Sequence, residues 1–260
     1  MTRARRVALM AISLVLVLAL AGCTPSSGRH RPVRVLVLGD STGVFLTFAL
    51  GQWNREGALD VNAGSLMGCP LVTTGTEFAS GVERGFDRNC SGWPFLWLER
   101  IERFDPQVIV VASGFHDITD RRLTAGGPWE SVGQPHYDNV VRYHVEFAAR
   151  VLERSRARVL WLDTPPFGER DVAVGGVDRH PMNEPARAHH YNSLLREVVT
   201  RHPRQEVVPY AAFLGRMPGG VMNTVARPDG MHVDGPGREP VASWVALWIL
   251  IAGSTVTPRP

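Results

Sequence analysis

Lysine is absent from this 260-residue sequence: all 28 basic residues are arginine, set against 25 acidic residues. This indicates a GC-rich codon composition more than a function. The net charge of +3, without a basic stripe, is too small to indicate a nucleic-acid partner. Charged residues make up only 20% and hydrophobic residues 44%, which excludes both a disordered chain and a polytopic membrane protein.

Cysteine and cofactor motifs are also scarce. Three cysteines exclude a disulfide-dense mini-fold, and their spacing does not match a zinc site. Neither a Gly-x-Gly-x-x-Gly motif nor a Walker loop occurs, which argues against nucleotide binding. The adjacent His189 and His190 would not share a helical face, so we expect no metal there. The sequence therefore predicts no cofactor and no metal.

The N-terminus has the order of an export signal. A basic stretch at residues 3–6 precedes the apolar run Val7–Ala21, which is 15 residues long. Such a run is short for a membrane span and typical of the core of a signal peptide. We therefore expect an exported protein.

The apolar run ends in Leu-Ala-Gly-Cys, which resembles the lipobox of bacterial lipoproteins. The resemblance implies that Cys23 is lipidated and becomes the mature N-terminus, on the outer face of the cytoplasmic membrane. Residues 1–22 are then a lipoprotein signal peptide, and residues 23–32 are a polar, Pro-containing tether. The alternatives are an ordinary signal peptide, or a membrane anchor in which the cysteine occurs by chance.

Export also bears on Cys69 and Cys90, because thiols outside the reducing cytosol form disulfides by default. Once Cys23 is lipidated, only this one pairing remains, and it would close a loop of about 20 residues. The alternative is two unpaired thiols.

From residue 33 onward, short β-rich runs alternate with helical stretches. The predicted strands are 34–39, 59–63, 107–113, 158–163 and 206–210. The predicted helices are 41–54, 92–104, 137–157, 185–202 and 236–252. The long loops are 64–91, 114–136, 164–184 and 212–231. This alternation predicts one α/β domain over residues 33–260, with three α/β/α layers and a central, mostly parallel five-stranded sheet.

The first predicted strand leads directly into Gly-Asp-Ser-Thr-Gly at residues 39–43. Gly39 permits a sharp turn, which would place Ser41 at a helix N-terminus. Free backbone N–H groups there favour developing negative charge, as a nucleophile that creates an oxyanion requires. The alternative is a common helix cap after a glycine turn.

A second motif, Asp229-Gly-Met-His232, lies in a Pro/Gly turn before the last predicted helix. An aspartate three residues before a histidine can bond the nearer imidazole nitrogen. The other ring nitrogen is then free to accept a proton from a serine hydroxyl. The alternative is a solvated turn with a surface histidine.

Together the two motifs resemble the SGNH, or GDSL-like, hydrolase family, whose members have a flavodoxin-like fold. That family carries its nucleophile in a Gly-Asp-Ser block and its other two catalytic residues in a C-terminal Asp-x-x-His block. The resemblance implies that Ser41 is the nucleophile, His232 the general base and then acid, and Asp229 the residue that orients His232. Asp40 would shape the turn.

The resemblance also implies an oxyanion hole, for which the match is weaker. The donors would be the backbone N–H of Ser41, a glycine N–H after the second strand and a side chain in a Gly-x-Asn-Asp block. Gly68 is our choice for the glycine and Gly64 the competitor. His116 replaces the asparagine, and a neutral imidazole N–H could serve as the donor. The alternative for His116 is a structural loop histidine bonded to Asp117 or Asp120.

The cysteine pair gives a hint of subtype. Gly68-Cys69 and Cys90, with Trp93 and Trp97 following, resemble SGNH domains attached to membrane acyltransferases that O-acylate cell-envelope glycans. The two tryptophans themselves have the spacing of one helix face packed on the core, which we prefer to a sugar-binding platform.

The resemblance implies a lipid-anchored serine esterase or acyl-transfer enzyme for O-acyl esters of small molecules or glycans, monomeric and with a possible acyltransferase partner. One alternative is a non-catalytic lipoprotein that binds glycan or lipid and assists such a partner. Gly-x-Ser-x-Gly also occurs in α/β-hydrolases, but several strands precede the nucleophile in that fold.

Overall fold

A computed structural model describes residues 31–54, 57–79, 82–168 and 184–256. The signal peptide, Cys23 and most of the tether expected from the sequence lie outside the described residues.

The centre of the fold is a five-stranded sheet with the order β2-β1-β5-β7-β8. Its strands are β1 Val33–Gly39, β2 Leu59–Ala63, β5 Val108–Ala112, β7 Arg158–Leu162 and β8 Gln205–Val208. All four pairings are parallel. The predicted parallel α/β sheet is therefore confirmed.

Helices cover both faces of this sheet. They are α1 Ser41–Trp53, α2 Trp93–Phe104, α3 Pro135–Leu152, α4 Pro185–Val199, α5 Tyr210–Arg216 and α6 Arg238–Ser254. One apolar cluster joins the sheet to α2, α3 and α4, and a second joins it to α1 and α6. The central strands are buried on both faces, which explains their near-continuous apolar sequences.

A second, three-stranded antiparallel sheet was not predicted. Its strands are β3 Thr76–Ala79, β4 Val82–Gly85 and β6 Asp120–Arg122, in the order β4-β3-β6. They lie within the predicted loops 64–91 and 114–136. These strands are only three or four residues long and carry charged side chains, so they lack the pattern that marks a strand.

The end of β8 differs from the prediction as well. The strand stops at Val208 rather than residue 210, and α5 begins at Tyr210. Pro209 lies between them, and without an N–H it cannot extend the ladder.

No helix in the described ranges is long and apolar enough to cross a membrane.

Candidate active site

Ser41 is held at the junction between β1 and α1. Gly39 has a φ of +133°, and a Cβ atom on it would lie 1.8 Å from the carbonyl oxygen of Ala112. Only glycine fits this close approach to β5. Asp40 then caps α1 through its Oδ1, which accepts hydrogen bonds from the N–H and hydroxyl of Thr42 at 2.8 and 2.7 Å. Ser41 is therefore the first residue of the helix.

Asp229 and His232 form a compact turn before α6. Oδ1 of Asp229 accepts from the N–H groups of Met231 and His232, both at 2.8 Å. Its Oδ2 lies 2.6 Å from Nδ1 of His232. Burial raises the pKa of Asp229, but the hydrogen bonds from His232 and Met231 outweigh it and leave the pKa below its usual value. The carboxylate is thus ionised and bonded to the imidazole.

The structure brings these three residues together across 191 positions of sequence: Nε2 of His232 lies 2.7 Å from Oγ of Ser41. The ring of Phe45 stacks on the imidazole, with centroids 4.3 Å apart, and fixes its plane. With Nδ1–H donating to Asp229, Nε2 carries the lone pair that accepts the Ser41 hydroxyl. This is the arrangement that activates a serine for attack on a carbonyl carbon.

Arg227 supports the turn and has no role in the sequence-based interpretation. Its side chain is 1% exposed. Nε donates to the carbonyl of Met231 at 3.0 Å, and Nη1 donates to the carbonyls of Pro166 and Val221, both at 2.9 Å. The side chain thus ties the turn to two other loops. Its position two residues before Asp229 is the only sequence signal that could have identified it.

The two candidate glycines of the oxyanion hole differ in hydrogen bonding. The N–H of Gly64 donates to the carbonyl of Val37 at 2.8 Å, as a continuation of the sheet. Gly68 has a φ of +70°, and its N–H donates to no residue in the described part of the chain. The N–H of Ser41 likewise donates to none of the described residues. The N–H groups of Gly68 and Ser41 are therefore available as donors, whereas the N–H of Gly64 is already used.

His116 follows β5 and is bonded to a buried carboxylate on the second sheet. Its Nδ1 lies 3.2 and 3.1 Å from the two carboxylate oxygens of Glu77, which is fully buried on β3. Glu77 also accepts from Nε of Arg84 at 2.7 Å and from the hydroxyl of Thr119 at 3.1 Å. The sequence did not indicate Glu77, which is 39 residues from His116.

Glu77 determines which hydrogen His116 can offer. Burial raises the pKa of Glu77, but the hydrogen bond and charge of His116 and the contact with Arg84 outweigh it, so the pKa is lowered and the carboxylate is ionised. Nδ1 must then carry the hydrogen that points at Glu77. A neutral His116 has only a lone pair at Nε2, so donation from Nε2 requires the imidazolium form. This differs from the neutral donor expected from the sequence.

Two arginines lie near His116. Arg121 is fully buried and donates from Nη2 to the His116 carbonyl at 2.7 Å. Arg84 bonds the same Glu77 carboxylate at 2.7 Å. Asp117, also buried, accepts from the N–H groups of Leu71 and Val72 at 3.2 and 2.9 Å. Burial raises the pKa of Asp117 above its usual value despite those bonds.

The structure bonds Cys69 to Cys90, across a separation of 21 residues. The closed loop contains β3 and β4, and therefore Glu77. Trp93 and Trp97 are buried in the core at the start of α2, as the helical spacing predicted.

No cluster of potential metal ligands occurs in the part of the chain that the structure describes. His189 is exposed, whereas Nε2 of its neighbour His190 bonds Asp138 at 2.8 Å.

An apolar cavity is lined by sequence neighbours of Ser41 and His232, but by none of the three residues themselves. Thr42, next to Ser41, lines one side, and Met231 and Val233, on either side of His232, line another. Leu46, Leu162 and other residues at the carboxyl ends of β5 and β7 complete it. Ligand sites of open α/β sheets lie at this edge.

Solved structures show the same fold at low sequence identity. A GDSL-like lipase from Bacteroides thetaiotaomicron is 13% identical, with a TM-score of 0.56 over 85% of this chain and 92% of that one. The periplasmic domain of a lipopolysaccharide acetyltransferase from Salmonella ser. Paratyphi A is 12% identical, with a TM-score of 0.54 over 84% of each chain. An acetyl xylan esterase is 14% identical, with a TM-score of 0.51 over 83% of this chain and 100% of that one.

Comparison of the sequence with known protein families identifies the family of this chain. No curated protein sequence matches the chain. The family model described as "SGNH domain (fused to AT3 domains)" matches residues 16–218, which is most of the chain, although the match ends before Asp229 and His232. The resemblance seen in the motifs is thereby confirmed: the chain belongs to the SGNH domain family and is a hydrolase or acyltransferase.

Proposed function

We propose that this protein is an exported, lipid-anchored serine esterase or O-acyltransferase that uses Ser41, His232 and Asp229 as a catalytic triad. The observation that carries the proposal is the 2.7 Å contact between Oγ of Ser41 and Nε2 of His232. The 2.6 Å contact between the same imidazole and Asp229 supports it.

In the proposed reaction, Oγ of Ser41 attacks the carbonyl carbon of an ester while its proton passes to Nε2 of His232. Asp229 stabilises the imidazolium that forms. The C–O bond of the ester then breaks, and His232 returns the proton to the leaving alcohol. Water or an acceptor hydroxyl attacks the acyl-serine in the second half, with His232 again taking the proton.

We assign the oxyanion hole to the N–H groups of Ser41 and Gly68. Gly64 is the weaker candidate, because its N–H already bonds Val37. His116 contributes only as an imidazolium paired with Glu77, and each donor of this kind is worth about 10²- to 10³-fold in rate.

The proposed substrates are O-acyl esters of cell-envelope glycans or lipids. The family description names fusion to AT3 domains, which points to a membrane acyltransferase as partner. The fold of the lipopolysaccharide acetyltransferase domain supports the same substrate class.

Covalent labelling by a serine-directed fluorophosphonate tests the proposal. We expect the wild-type protein to be labelled and to hydrolyse p-nitrophenyl acetate. Ser41→Ala and His232→Ala should abolish both signals while the circular dichroism spectrum is unchanged. Ser193→Ala is the matched control, since its hydroxyl donates to the His189 carbonyl within α4.

Labelling that persists in Ser41→Ala would contradict the triad. A folded wild-type protein that takes no label would instead favour the non-catalytic glycan- or lipid-binding lipoprotein. The engagement of Nδ1 of His116 by Glu77 is the observation that favours this second function, because it leaves a neutral His116 without a donor for the oxyanion.

A further inference from the structure

The last helix has two apolar faces, of which one is covered by the sheet. Val241, Val245 and Ile249 are fully buried on the inner face. Trp244, Leu247, Trp248 and Ile251 follow the i, i+3, i+4, i+7 spacing of a second face, here named the outer stripe. Leu247 and Ile251 are each 56% exposed, whereas Trp244 and Trp248 are half-buried and also pack against the core. No charged residue occurs from Pro240 to Ser254.

Aromatic packing holds the outer stripe in a fixed shape. Phe213 of α5 stacks on Trp244 with ring centroids 4.5 Å apart and planes 12° from parallel. Trp244 in turn contacts Trp248 edge to face at 5.9 Å. A surface whose large side chains are already ordered loses little conformational entropy when it is covered.

The first residue of α6 follows the turn that carries His232, and the last residues of α6 lie near the start of β1. The helix begins six residues after His232. At its other end, a Cβ atom on Gly253 would lie 2.8 Å from a methyl group of Val33, the first residue of β1. Val33 is ten residues after Cys23. A 17-residue helix spans about 25 Å, and a ten-residue tether reaches at most about 35 Å.

We propose that the outer stripe lies in the surface of the membrane that carries the lipid anchor. This inference rests on the proposed lipidation of Cys23. The tether starts beside one end of the stripe and is long enough for the whole helix to lie against the bilayer. Tryptophan favours the headgroup layer and aliphatic side chains the acyl boundary below it, which matches the composition of the stripe.

A protein partner fits the stripe less well. A stable protein–protein interface uses about 20–30 residues on each side, whereas the stripe presents four side chains on one helix. Interfacial membrane binding requires only such a narrow apolar face, and the anchor already supplies high local concentration.

Contact with the bilayer along α6 has a consequence for substrate choice. The site at the start of the helix is held close to the membrane surface instead of projecting away from it. The substrates are then acyl esters on molecules at that surface, such as lipid-linked glycans, rather than freely diffusing esters.

Fluorescence quenching by brominated lipids tests this docking. The full chain, expressed from residue 1 in a bacterial host, is mixed with phosphatidylcholine–phosphatidylglycerol vesicles with or without bromine on the upper acyl chains. The first tryptophan is Trp53, so all tryptophan signal comes from the folded domain. We expect bromine to remove about a quarter of the fluorescence, because two of the seven tryptophans lie on the stripe. Trp248→Phe should remove about half of this loss, because Trp244 remains on the stripe.

Trp129→Phe is the matched control, because Trp129 packs on Phe78 of the second sheet, away from α6. A Leu247→Gln/Ile251→Gln variant should also lose quenching, whereas Phe95→Gln, which alters a 78% exposed side chain on α2, should not. Equal fluorescence in brominated and ordinary vesicles, with the protein still floating with them, would overturn the docking. So would cross-linking of the stripe to a second copy.

Fluorophosphonate labelling of Ser41 on the same vesicles separates this inference from the proposed activity. Labelled protein without quenching overturns the docking alone. Quenched protein without labelling overturns the esterase alone. A chain that does not float with vesicles overturns the anchor and the docking together.

Discussion

The buried guanidinium of Arg227 donates from Nε to the carbonyl oxygen of Met231, 3.0 Å away and one residue before His232. The same side chain bonds the carbonyls of Pro166 and Val221 and lies over the ring of Phe167, 5.2 Å from its centroid. The turn that carries His232 is therefore positioned by a cation that bridges three loops.

Arg227→Lys should lower turnover without removing any member of the triad. A lysine has one ammonium in place of the planar fork and cannot bond all these carbonyls. We expect kcat to fall about 10- to 100-fold, since misplacement by about 1 Å has costs of that order. Turnover of p-nitrophenyl acetate measures this fall in kcat. Arg150→Lys is the control, because the Arg150 side chain is 70% exposed. Wild-type kcat in Arg227→Lys would contradict the positioning role.

The main sheet and the triad motifs could be predicted because their signals are local. β1 and β5 are runs of consecutive apolar residues, and Ser41 and His232 each lie within a short motif. Glu77 could not be predicted, because its meaning depends on a contact with His116 across 39 residues. The strand that carries Glu77 has only four residues and no clear periodicity.

A double-mutant cycle tests the link between Glu77 and His116. Glu77→Gln removes the carboxylate that bonds Nδ1 of His116, so we expect kcat to fall about 10-fold or more with little change in KM. Steady-state kinetics check this, with the exposed Glu83→Gln as control.

The His116→Asn background tests whether Glu77 acts through His116. A neutral amide donates a hydrogen bond without a counter-charge, so Glu77→Gln should cost much less in a His116→Asn background. Equal losses in both backgrounds would make Glu77 purely structural.

Reduction of the disulfide should destabilise the fold. Cys69 and Cys90 close a 21-residue separation, and loop entropy alone predicts a loss of about 3 kcal/mol. For a domain of this size that corresponds to a fall in Tm of about 6–12 °C. Scanning calorimetry with and without reductant measures it. The Cys69→Ala/Cys90→Ala variant should have the same low Tm with and without reductant. An unchanged Tm of fully reduced wild type would contradict the prediction.

A surface ion network should make stability depend on acid pH. Glu146 accepts hydrogen bonds from Arg150 at 2.8 Å and Arg201 at 3.2 Å, and contacts Nε2 of His202 at 3.3 Å. The bond from Arg150, with those from Arg201 and His202, lowers the pKa of Glu146 from 4.5 to about 2. Because the folded-state pKa lies below the unfolded one, the stabilisation is complete above pH 4.5 and is lost as pH falls toward 2.

Glu146→Gln should therefore lower the free energy of unfolding at pH 7 by about 1 kcal/mol, a value reduced by solvent screening at this partly exposed site. The gap between variant and wild type should narrow steadily between pH 4.5 and 2, where the wild-type carboxylate also becomes neutral. Urea unfolding at pH 7, 5 and 3 measures the gap. Glu99→Gln is the control, because the 3.9 Å pair of Glu99 with Arg103 is largely exposed. A gap that stays constant across this range would mean that Glu146 acts through packing and not through its charge.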